Sequence, residues 1–163
     1  MPVTAHAISP VTRLPRAGLI RRLAALVYDA LIVAGLLFVA SVVGTLLAGT
    51  VLGLDFQQHQ DALTAHPVVR RLFFCWCMAW WFGYFGWSWT RAGQTVGMKA
   101  WRLRVQRLDG RLPSWRDSLY RFVASLAGLT TLTLVLSPSR LALHDKLTLT
   151  EVLLLPKKTA RPE

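Results

Sequence analysis

From Ala30 to Leu54 the chain runs for 25 residues without a charged side chain. As a helix such a run is about 37 Å long, more than the ~30 Å hydrocarbon core of a bilayer, so it can cross with some tilt. The apolar core of a cleaved signal peptide is only about 7–15 residues, so this run reads as a retained span. A second run, Leu72 to Thr90, has 19 uncharged residues, and ten of them are aromatic. Its tryptophans, Trp76, Trp80, Trp81, Trp87 and Trp89, reach toward both ends, as in the interfacial belts of membrane spans. A third run, Phe122 to Ser139, has 18 uncharged residues, interrupted by Gly128, Thr130, Thr131, Thr133 and Pro138. It either just spans or enters as a bent, re-entrant segment. The expectation is an all-α membrane protein with two to three transmembrane helices.

Charge orients these spans. The net charge is +11, and between Arg91 and Arg121 eight arginines and lysines face Asp109 and Asp117 alone. The connector 55–71 balances two acids with two arginines. By the positive-inside rule the basic loop is cytoplasmic and the connector lies outside, as in a multi-pass protein of a bacterial inner membrane. The loop would meet anionic lipid headgroups. Nucleic acid is excluded as a partner because no recognition module accompanies the charge.

Within the loop Trp101, Leu103 and Val105 alternate with Arg102, Arg104 and Gln106, and Asp109-Gly110 offers a tight turn. That pattern predicts a short amphipathic hairpin at the membrane surface, with Trp101, Leu103 and Val105 toward apolar material and Arg102 and Arg104 toward water or headgroups. Ser114 is placed to cap a helix whose first turn holds Trp115, Arg116 and Asp117. The domain expected from these features covers 17–155, between a flexible basic tail at 1–16 and a basic tail at 156–163.

Few residues could carry chemistry. Asp29 stands where an ionised carboxylate exposed to lipid would be unfavourable, so it must face protein, pair with a cation or take up a proton. Arg22, two helical turns earlier, shares its face but leans away from it. Arg121 and Lys146 are the candidate charge partners for Asp29. Gly93 to Lys99 suggests a phosphate loop, but the spacing is one residue short and Ala100 stands where a hydroxyl is needed. Cys75 and Cys77 lack the spacing of a zinc site, and His144 beside Asp145 makes no metal site alone. No activated nucleophile is visible, so neither an enzyme nor a cofactor is expected. Small residues recur at Ser41, Thr45, Gly49 and Gly53, a spacing that lets helices approach closely. The second span, through Ala79 and Gly83, is the expected neighbour, and a second copy of the chain the alternative.

Taken together, Arg22-Leu23-Ala24-Ala25-Leu26-Val27-Tyr28-Asp29, then Gly93-Gln94-Thr95-Val96-Gly97 with Leu103-Arg104-Val105 and Asp109-Gly110, then Leu143-His144-Asp145-Lys146 and Thr150-Glu151-Val152, resemble the ordered motifs of RDD-family membrane proteins. The resemblance covers roughly residues 17 to 155. It implies that Arg22, Asp29 and Asp145 are the arginine and two aspartates for which that family is named, serving as a structural or an ion or proton site. Gly93, Gln94, Thr95 and Gly97 form its loop motif. Met98-Lys99 departs from the pattern, since many members have lysine directly after the second glycine. The function implied is transport of an ion or small ligand. So few helices enclose no pathway alone, which points to a homo-oligomer. The alternative, read from the buried charges and the basic loop, is a structural or accessory role toward anionic lipid or a partner membrane protein.

Overall fold

The computed structural model describes residues 14–53, 67–125 and 143–156. Helix α1, Leu19–Leu52, is 34 residues long and closes on Gly53, whose φ of 62° is a left-handed conformation suited to glycine. No proline interrupts it, and only 11% of its most apolar window is buried within the chain. Its large side chains, among them Leu31, Phe38, Val42 and Leu46, point away from the protein. In water such a surface would be costly to expose, whereas in lipid it is at home. Among the described residues α1 is the one helix both long and apolar enough to cross a membrane.

Helix α2, Pro67–Ala92, is 26 residues long and starts on a proline, which gives up an amide that the first turn could not have paired. It packs against α1 where Gly44 comes close to the rings of Phe73 and Trp76, and the Trp76 indole N–H donates to the Ala40 carbonyl at 2.9 Å. This is a correction to the expected helix contact. The close approach is at Gly44, beside the small-residue series, and a Cβ on Gly83 would meet nothing within 4 Å. The aromatic run instead turns toward α4, Trp115–Ser125: Trp81, Phe82 and Phe85 pack on Phe122, and Phe82 on Trp115. Ser114 and Asp117 cap α4 reciprocally, the Ser114 amide donating to Asp117 at 3.0 Å and the Asp117 amide to the Ser114 hydroxyl at 3.2 Å.

The stretch expected to form a local hairpin does something else. Leu103–Arg107 is a strand, β1, but its antiparallel partner is β2, Thr150–Leu154, with Val105 opposite Val152. Asp109-Gly110 does turn the chain, yet the strand after the turn is replaced by distant sequence. Residues 15–17 extend the sheet on the far side of β2, the Ala17 amide donating to the Val152 carbonyl at 2.9 Å and the Leu154 amide to the Pro15 carbonyl at 2.8 Å. Leu103 and Val105, each 1% exposed, therefore point into a protein core with Ala17, Ala25, Trp89, Met98 and Val152, and not into lipid. Two short helices complete this cap over the start of α1: α3, Val96–Ala100, and α5, Leu143–Leu147. Beyond Ser125 the proposed third span lies outside the described residues, as do 1–13 and 157–163 of the tails and most of the connector, whereas Pro15 and Arg16, expected in the flexible tail, lie on the sheet edge.

Candidate functional site

Arg22 and Asp145, 123 positions apart in the chain, meet in the cap. Arg22 donates to one carboxylate oxygen of Asp145 at 2.5 Å, and Arg121, from α4, to the other at 2.6 Å. Arg121 also donates to the Thr150 hydroxyl at 2.6 Å and lies against the His144 Nε2 at 3.2 Å. Asp145 is 1% exposed and both arginines are buried. Burial alone would raise the Asp145 pKa, but the Arg121 and Arg22 charges outweigh it and hold the carboxyl below its usual range. The cluster thus ties the start of α1, the middle of α4, α5 and β2 to a single buried carboxylate.

His144 is its neutral member. Burial and then the Arg121 charge lower its pKa to about 3, so Nε2 accepts from Arg121 and the proton sits on Nδ1. A histidine whose folded pKa lies below its unfolded value of 6.5 stabilises the fold above that value, and the contribution fades as pH falls from there toward about 3. Thermal unfolding followed from pH 7 to pH 4 will therefore show the wild type losing about 1.4 kcal/mol per pH unit more than His144→Gln below the unfolded value. Parallel curves for the two proteins would mean that His144 is not held neutral.

Asp29 lies apart from this cluster, and its partners differ from the cations expected. Its Oδ1 accepts from the Tyr84 hydroxyl at 2.7 Å and the Gly97 amide at 2.9 Å, and its Oδ2 from the Thr95 hydroxyl at 2.5 Å. Arg121, a candidate partner from sequence, is at Asp145, and the other, Lys146, is exposed. Three donors without formal charge suffice because a carboxylate is acceptor-only, and hydrogen bonds to it are stronger than neutral ones. Asp29→Asn turns one oxygen into a donor that faces the Thr95 hydroxyl, itself accepting from the Met98 amide. The variant should lose about 1–3 kcal/mol in a detergent melt, and an unchanged melting temperature would count against these bonds as anchors of the loop.

The loop motif has a distinct task at each position. Gly93, with φ 67°, turns the chain out of α2 so closely that its carbonyl takes the Val105 amide at 2.7 Å and any Cβ would sit 2.6 Å from the Val105 oxygen. Gln94 donates to the Leu103 carbonyl at 2.6 Å. Thr95 caps α3, and Gly97 brings its amide against α1. Sequence reasoning missed Tyr84, the single hydroxylated ring among ten aromatics of its run, and named Thr150 within a motif without the role of its hydroxyl, which accepts from Arg121. It named His144 within the closing motif and beside Asp145 as no metal site, without a role toward Arg121; among the described residues no group of three metal-ligating side chains occurs.

Between the two signature groups lies a cavity of about 90 Å³ lined by Arg22, Asp29, Trp89, Arg121, Phe122 and His144, among others. No curated protein and no solved structure gives a significant match to the chain. The model of the RDD family matches residues 16–148, which takes in α1, the loop motif, β1, α4 and, of the buried cluster, Arg22, Arg121, His144 and Asp145. With that match over most of its length, and with its long lipid-suited helix, this chain is a membrane protein that belongs to the RDD family.

Proposed function

We propose that this chain is a multi-pass protein of the bacterial inner membrane that helps move an ion or small ligand across it, working as a homo-oligomer and without enzymatic chemistry. The observation that carries this reading is the cavity beside the apolar span, which has Arg22, Asp29, Arg121 and His144 in its wall. Charged side chains at a membrane span are expensive and mark ion or proton paths more often than chance placement would. The basic segment from Arg91 to Arg121 supports a cytoplasmic cap resting against anionic lipid, with α2 as a second span.

Reconstitution into liposomes tests the proposal. Under imposed gradients of sodium, potassium, proton or chloride, the wild type should carry tracer flux well above empty vesicles, and folded Asp29→Asn should carry several-fold less. Flux equal to empty vesicles under all four gradients sinks it. A second reading, a structural or accessory protein, is favoured by how fully Asp29 is engaged by Tyr84, Thr95 and Gly97. In that case Asp29→Asn lowers stability and there is no flux to lose.

A further inference from the structure

The wall of the cavity offers more donors than acceptors. Asp29 has about four acceptor positions, and three are already filled by Tyr84, Thr95 and Gly97. His144 presents Nε2 to Arg121. On the donor side Arg121 has five N–H groups; Asp145, Thr150 and His144 engage three of them. Trp89 also lines the cavity, is 7% exposed, and its indole N–H has no partner among the described residues. A buried donor without a partner is costly, and native structures rarely leave one unless something else fills the place.

We infer that this cavity binds a small monovalent anion of the size of chloride, held by the Trp89 indole N–H and the guanidinium of Arg121. The inference deepens the transport reading by naming the class of ion. Size agrees: about 90 Å³ has room for a small hydrated ion, while organic ligands need several hundred. A metal cation would have to displace three donors from Asp29 and sit in a wall that also holds Arg22 and Arg121. An anion needs neither step, and Phe85 and Phe122 form part of the same wall.

Chloride line-broadening by NMR on the full chain in detergent, at constant ionic strength with gluconate as the replacement anion, tests this directly. The wild type should show one saturable site. Trp89→Phe keeps a ring beside Arg121, whose guanidinium carbon lies 5.4 Å from the Trp89 ring centre, but removes the N–H, and should weaken chloride binding roughly tenfold or more. Ser125→Leu, filling the cavity from α4, should abolish it. Absence of a saturable site in the wild type overturns the inference, as does unchanged affinity in either variant that folds. If neither variant folds, the wild-type titration decides alone. Chloride binding without flux leaves the site standing and removes the transport reading, whereas cation flux without chloride binding does the reverse.

Discussion

Replacing Gly97 with alanine should cripple the protein, since among the described glycines an added methyl group meets its closest neighbour there. The new Cβ would lie 2.2 Å from the Ala25 carbonyl oxygen and 2.9 Å from the Asp29 carboxylate carbon, both on α1. Neither can retreat cheaply, because the carbonyl belongs to helical backbone and the carboxylate is fixed by Tyr84 and Thr95. The loop must lift away, which breaks the Gly97 amide bond to Asp29 and loosens the Thr95 bond beside it. Overpacking and an abandoned buried hydrogen bond together should cost at least about 3 kcal/mol, seen as poor recovery from membranes and a lower melting temperature. Gly83→Ala is the control: its Cβ meets nothing within 4 Å, and a helical glycine exchanged for alanine gains about 0.5–1 kcal/mol. If Gly97→Ala melted like Gly83→Ala, the docking of this loop on α1 would be refuted.

Asp145→Asn should be nearly as damaging, for an electrostatic reason. It removes the carboxylate on which Arg22 and Arg121 converge while leaving both guanidinium groups buried. Leaving a buried charge uncompensated costs about 3–5 kcal/mol, more than the intact pair contributes, because desolvation of the remaining cation is no longer offset. The loss should be largest near neutral pH. The folded-state pKa of Asp145 is depressed below its ordinary 3.8, so its contribution is present above that value and disappears in acid. Melting temperatures of wild type and variant should converge as pH falls below about 4, and a gap that stayed constant down to pH 3 would argue against the ion cluster as its source. Adding Arg121→Met to Asp145→Asn should recover part of the stability, since one of the stranded charges is then gone.

Reading the chain from its residues recovers some of this and misses the rest for identifiable reasons. The lipid-suited helix was legible because a long charge-free run has few soluble uses, and the capping of α4 because Ser114 and Asp117 sit at the spacing the cap requires. β1 was legible as a strand from its alternation, but its partner was not. A period-two pattern gives the face of a strand, whereas register is decided by which edge the chain brings close, and β2 arrives more than 40 residues later. The alternation turns Leu103 and Val105 toward apolar material at the membrane surface and goes no further, for the same reason: an apolar face does not say whether lipid or protein covers it.

The signature residues divide along the same line. That Asp29 must face protein follows from the cost of an exposed carboxylate in lipid, and local sequence determines as much. That it is held by Tyr84, Thr95 and Gly97, while Arg22 and Arg121 both serve Asp145, only the tertiary structure decided. Acid–base matching by sequence sees two carboxylates and several cations with no distances between them. Folding lays the loop motif across α1, where short neutral donors fit beside Asp29, and sets α4 and α5 at the first turn of the same helix, where the guanidinium groups of Arg22 and Arg121 reach Asp145.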